Sequence, residues 1–171
     1  MEQIRKFIRD VPDFPKPGIT FRDVTPLFAN AEGFAGAIAA LAERYAARSV
    51  TDVLAIESRG FIVGAALAQR LGCGLALARK PGKLPRPTYS AQYTLEYGFD
   101  RLEVHRDALA ASSRVVIVDD LIATGGTMGA ACRLAEACGA KVLEGAALIE
   151  LGDFGARRAL PHLPLHSLVS Y

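Results

Sequence analysis

Tryptophan is absent from the 171 residues, and aromatic residues make up only 8% of them. Stacking on exposed rings, a common means of holding single-stranded nucleic acid, is therefore poorly supplied. Net charge is scarce as well: 20 Lys and Arg against 18 Asp and Glu leave +2, too little to mark a nucleic-acid binder. The cysteines, Cys73, Cys132 and Cys138, are odd in number and match no zinc or CxxC spacing. They read as reduced, partly buried thiols. Long apolar runs are missing too. The densest, Gly60–Leu77, is broken by Gln69 and Arg70 and is too short for a bilayer. Met1–Asp10 is basic but has no apolar stretch behind it, unlike a secretory signal. The expectation is a soluble cytoplasmic protein with no membrane or nucleic-acid partner.

What is present is a 51% hydrophobic, Ala-rich composition, enough for one well-buried core, so residues 1–171 are expected to form a single domain. Glu2–Arg9 reads as a short helix ended by the Pro-rich loop Val11–Gly18, and Glu32–Arg48 as a long helix with Phe34, Ile38, Leu41 and Tyr45 at helical spacing. Val53–Ile56, Leu75–Ala78, Val115–Val118, Val142–Leu151 and Leu165–Tyr171 read as strands, with helices over Phe61–Leu71 and Thr127–Cys138. Strands alternating with helices predict an α/β fold, a parallel-dominated sheet flanked by helices. In such sheets ligands bind beyond the carboxyl ends of the strands.

Beyond Val118 comes Asp119-Asp120-Leu121-Ile122-Ala123-Thr124-Gly125-Gly126-Thr127, and then a helix. Two glycines allow close approach of the backbone, and N–H groups at a helix start can cradle a phosphate. No Gly-Lys-Ser/Thr follows and the pattern is not GxGxxG, which disfavours a nucleoside-triphosphate loop or a dinucleotide site. Two carboxylates would repel a bare phosphate. They make sense beside a sugar whose hydroxyls donate to them, so the segment describes a ribose 5-phosphate pocket. His105, His162 and His166 lack ligand spacing and are given no chemistry.

This string resembles the signature of the type I phosphoribosyltransferases, which use phosphoribosyl pyrophosphate (PRPP). Three more segments resemble the adenine-specific branch of that family: Phe14–Gly18 with Phe21-Arg22-Asp23, Glu57-Ser58-Arg59-Gly60-Phe61, and Arg79–Pro85 leading to Leu95-Glu96-Tyr97-Gly98. The resemblance implies the type I fold with a small N-terminal hood, about residues 1–30, and a flexible flap, about residues 79–97. It implies a purine-salvage reaction in which PRPP and adenine give AMP and diphosphate. PRPP is expected on Asp119, Asp120, Ala123, Thr124, Gly125, Gly126 and Thr127. Diphosphate is expected on Ser58, Arg59, Arg79, Lys80, Lys83 and Tyr97, with packing an equal alternative for Tyr97.

Adenine is expected near Phe21 and Leu121, with the backbone of Arg22 complementing its N6 donor and N1 acceptor. Hypoxanthine-guanine enzymes carry an acid where this chain has Ala123, so the branch's acid–base candidate is Glu96. Mg²⁺ is the implied cofactor, held mainly through PRPP and water rather than by a protein metal site, and a homodimer is implied. Two alternatives stay open: a hypoxanthine or xanthine enzyme of the same family, and a PRPP-sensing regulator without turnover. The regulator would need a DNA-binding segment, for which the stretch before Phe14 looks too short.

Overall fold

The computed structural model describes residues 2–94 and 98–171. The chain begins with α1 (Glu2–Arg5), β1 (Arg9–Val11) and β2 (Phe21–Asp23), then α2 (Thr25–Ala29) and α3 (Ala31–Tyr45). The helix expected over Glu2–Arg9 thus stops at Arg5. Arg9–Val11 is instead drawn into an antiparallel pair with Phe21–Asp23, closed by the Pro-rich loop between them. At the start of α3, Asn30 caps the helix by accepting from the Gly33 N–H at 2.7 Å.

The middle of the chain is β3 (Asp52–Ile56), α4 (Gly60–Leu71), β4 (Gly74–Ala78), β5 (Thr88–Thr94) and β6 (Phe99–His105). Gly72, at φ +66°, ends α4 in the left-handed region that glycine tolerates best. After these come β7 (Arg114–Ile122), α5 (Gly126–Ala137), β8 (Lys141–Glu150), α6 (Ala156–Ala159) and β9 (Leu165–Ser170).

Five strands form one sheet in the order β4-β3-β7-β8-β9, every neighbouring pair parallel. Its two faces carry separate apolar clusters. Leu54, Ile56, Val115, Ile117 and Ala147 pack with α5 and with the antiparallel β5–β6 hairpin. Val53, Val116, Val118, Ala146 and Leu148 pack with α1, α3 and α4. A Leu or Ile fully buried on either face stabilises the fold by roughly 1.5–3 kcal/mol.

One strand departs from expectation in a useful way. Beyond Val118, β7 continues to Ile122, so Asp119 and Asp120 lie inside the strand and not in the turn after it. Side-chain alternation is also reset there: Ile117 joins the α5-side cluster, yet Leu121 packs with the opposite one and Ile122 returns to the first. Strict alternation would have put Ile117 and Leu121 on one face.

Candidate active site

Parallel pairing of β4, β3 and β7 aligns Ile56 with Ala78 and Ala55 with Val118. The segments that leave these strands therefore emerge side by side at one sheet edge, although the chain separates them widely. Three groups of side chains meet there.

The first centres on the two acids. Asp119 and Asp120 are 8% and 5% exposed. Arg59, at the start of α4, donates through Nε to Asp120 Oδ2 at 2.6 Å. Asp119 Oδ1 accepts the Asp120 N–H at 2.9 Å. Burial and the adjoining Asp120 carboxyl push the Asp119 pKa well above the usual carboxylate range, against the opposing pull of that N–H and of Arg59. Gly60 makes this approach possible, since a Cβ there would stand 2.9 Å from the Val118 carbonyl and 3.0 Å from Asp119 Oδ1. The same Arg59 guanidinium lies 5.7 Å from the centre of the Phe21 ring. Phe21 also meets Phe14 edge-to-face at 5.3 Å. One arginine thus joins the aromatic residue expected at the base to the acids expected at the sugar.

The second group lies across β3 and β4. Glu57 accepts the Lys80 N–H at 2.9 Å and pairs with Arg79 Nε at 3.3 Å. The Lys80 N–H, outweighing burial, holds the Glu57 pKa below the usual range. Arg79 also exchanges backbone hydrogen bonds with Glu103 of β6 and donates to the Lys83 carbonyl at 3.3 Å. Lys80 Nζ reaches Asp100 and the Tyr93 hydroxyl on the hairpin. The Lys83 side chain is exposed, and the Ser58 carbonyl accepts from Phe61 N–H at 3.2 Å in the first turn of α4.

The third group is the glycine turn. Gly125 has φ +86°, and a Cβ on it would come within 3.0 Å of Leu160 Cδ1, so only glycine fits comfortably. The Gly126 N–H donates weakly to Thr124 Oγ1 at 3.4 Å, and Thr124 is exposed. With Thr94, Gly129, Arg133 and Leu160 the turn lines a cleft of about 350 Å³ that runs from the N-terminus of α5 along its side. Such a terminus, with its unpaired N–H groups, suits a phosphate. Ala123 and Thr127 flank the turn, both half-buried.

Two expected base contacts are placed less directly. Arg22 pairs its side chain with Asp10 and stacks on Tyr171, at 4.0 Å from the ring centre. Its backbone belongs to a two-stranded sheet. Leu121 is half-buried against the cluster that holds Val24 and Val118. Glu96 and Tyr97 lie outside the described residues. Sequence reasoning passed over three contributors: Glu57, the anchor of the Arg79-Lys80 segment; Tyr93; and Asp100. The strict alternation of Thr88–Thr94 and Phe99–His105, with Ala91, Tyr93, Leu102 and Val104 inward, was the available signal for the hairpin that carries the last two.

Residues 23–162 match the phosphoribosyl transferase domain family. The chain is 52% identical over 164 residues to adenine phosphoribosyltransferase from Roseiflexus sp. strain RS-1, covering 96% of this chain and 95% of the relative. The chain belongs to the adenine phosphoribosyltransferase family. Its fold superposes on the crystal structure of the Thermoanaerobacter pseudethanolicus enzyme with a TM-score of 0.96, at 46% identity and 99% coverage of both chains. The Saccharomyces cerevisiae enzyme, complexed with an imino-altritol bisphosphate and adenine, gives a TM-score of 0.93 at 38% identity, covering 98% of this chain and 97% of its own. These likenesses extend over the whole length, so the adenine-branch resemblance of the four sequence segments holds for the intervening structure as well.

Proposed function

We infer that the chain transfers the 5-phosphoribosyl group of PRPP to N9 of adenine, giving AMP and diphosphate. The observation that carries the reading is Arg59, which ties Phe21 to the Asp119-Asp120 pair beside the glycine turn. In this reading the turn Ala123–Thr127 takes the 5′-phosphate, and Asp119 and Asp120 accept from the 2′ and 3′ hydroxyls of the ribose. Ser58, Arg59, Arg79, Lys80, Lys83 and Tyr97 surround the diphosphate. Their charge favours its departure and leaves an oxocarbenium-like sugar, which adenine attacks. Phe21 and Leu121 wall the base, and the Arg22 backbone complements its edge. Glu96 serves as the acid–base group, since Ala123 does not titrate.

Mg²⁺, when bound, neutralises part of the diphosphate charge. It would be held mainly through PRPP oxygens and water, which the Asp119-Asp120 pair on β7 suits, and the described residues include no cluster of three or more His, Cys, Asp or Glu side chains placed to cage one. Residues 1–30 serve as a hood and residues 79–97 as a flap that excludes water from PRPP. A homodimer fits the exposed Leu75 and Leu77 of the edge strand and the exposed Ile62 of α4. A cytoplasmic setting fits the free, half-buried Cys73, Cys132 and Cys138, and no described helix is long and apolar enough to cross a membrane.

The test is an assay of PRPP with each purine in turn. Adenine should exceed hypoxanthine and guanine by roughly 10³-fold in kcat/KM, because a 6-oxopurine leaves the polar groups that read adenine mismatched. Comparable turnover with hypoxanthine would overturn the choice of base, and no turnover with any purine would favour a PRPP sensor.

A further inference from the structure

We propose that Asp100, together with the Tyr93 hydroxyl, is a positioning residue that holds the Lys80 ammonium for the diphosphate of PRPP. This rests on the reading of Lys80 as a diphosphate ligand. Lys80 is fixed at both ends. Its backbone N–H is bound by Glu57 at 2.9 Å, and its ammonium donates to the Tyr93 hydroxyl at 2.6 Å and to Asp100. Tyr93 in turn donates to Asp100 Oδ2 at 3.0 Å, which closes a triangle of three polar groups. The carboxylate and the phenol belong to paired strands of one hairpin, where Tyr93 stands opposite Asp100. The lysine comes from the loop after β4.

This arrangement does two things that an unrestrained lysine does not. A free lysine freezes four rotatable carbons when it meets a ligand, whereas Lys80 is already ordered. An ammonium has three donors, and the hairpin takes two, leaving one for a phosphate oxygen. The triangle also reaches the glycine turn. Tyr93 is 6% exposed, and a Cβ on Gly126 would lie 3.3 Å from its Cδ2, so the ring rests against the glycine turn while its hydroxyl holds Lys80. A single side chain therefore links the cradle for the 5′-phosphate with the cation for the diphosphate at the other end of PRPP.

The experiment measures PRPP affinity by calorimetry, and KM and kcat by assay, on the full chain with Mg²⁺. Asp100→Asn should weaken PRPP binding by roughly 2–5-fold, the range expected of a partly exposed ion pair. The loss should fall on KM for PRPP, with a smaller change in kcat and none in KM for adenine. Asp100→Glu should recover most of it. Tyr93→Phe keeps the ring on Gly126 and should cost about 2–5-fold. It carries the test if Asp100→Asn does not fold. In a Lys80→Met background, Asp100→Asn should add nothing further. An undiminished effect of Asp100→Asn in that background overturns the proposal. So does parental affinity in Asp100→Asn while Lys80→Met is weakened, and that result leaves Lys80 as a ligand. Parental affinity in Lys80→Met overturns both the proposal and the diphosphate assignment beneath it.

Discussion

Two buried acidic centres in this molecule are built from the same ingredients and end in opposite states. Glu144 on β8 is 2% exposed, yet it accepts from Arg44 Nε and Nη2 at 2.7 Å each, Arg48 Nη1 at 2.8 Å and the Tyr45 hydroxyl at 2.8 Å. Burial raises its pKa, but the donors led by Arg44 and Tyr45 outweigh burial and hold it below the usual range. Asp119 is similarly buried and has a second carboxyl beside it, and its pKa goes up. The first centre is complete and fastens α3 to β8. The second has fewer donors, the Asp120 N–H on Asp119 and the Arg59 guanidinium on Asp120, and in the proposed reading the sugar hydroxyls of PRPP add to them. A buried acid whose charge is well matched reads as structure, and two adjoining carboxyls with few donors read as a candidate site.

The largest effect should come from breaking the satisfied centre. Glu144→Gln leaves two arginines and a buried phenol short of their acceptor. It should cost about 3 kcal/mol, or roughly 6–12 °C in Tm for a chain of this size, with turnover by the folded fraction near that of the parent. Because the folded pKa of Glu144 is lowered, its stabilisation is present above the unfolded value of 4.5 and is lost as pH falls through the depressed native value. Parent and variant should therefore converge in Tm at strongly acid pH. A constant gap down to pH 2 contradicts the ionised assignment.

Asp120→Asn is the counterpart in the paired-acid centre. In the proposed reading it removes a charged acceptor for a ribose hydroxyl and releases Arg59, and should weaken PRPP by roughly 10–100-fold with little change in Tm. Unaltered affinity in calorimetry would remove the acid pair from the sugar site.

The smallest effect is the most telling, because its sign is reversed. The folded pKa of Asp119 lies above its unfolded value, so the native state binds this proton more tightly than the unfolded chain does. The stability it contributes is full at acid pH and is lost as pH rises through the raised value. Asp119→Asn should accordingly gain a few degrees in Tm at pH 7–8, lose that gain near pH 4, and bind PRPP less well throughout. A Tm below the parent at neutral pH would show that the two centres do not differ in the way described.

The contrast also explains what was readable from the residues alone. Val115–Val118, apolar on both faces, announced a central parallel strand, and Gly125-Gly126 announced the turn beyond it. Both are properties of consecutive residues. The hold of Arg59 on Asp120 spans 61 positions, and that of Arg44 on Glu144 spans 100. No local pattern encodes either pairing. Glu144 gave no sign of being buried, because a charge inside a strand is legible only when its partners on another element are known. The continuation of β7 through Asp119 and Asp120 was hidden for a related reason: acids are poor strand formers in isolation, and tertiary pairing to β8 overrides that preference.

The alignment of β4, β3 and β7 has a consequence for synthesis of the chain. The segments near residues 57, 80 and 120 adjoin only through parallel pairing of strands far apart in sequence. A nascent chain leaving the ribosome exposes the Arg59 and Lys80 segments well before their neighbour on β7 exists. In the proposed reading PRPP lacks its acid pair and its phosphate turn until Thr127 and the first turns of α5 have emerged. Substrate therefore acts on folding only at the end, by mass action on the finished sheet, and cannot guide the earlier steps.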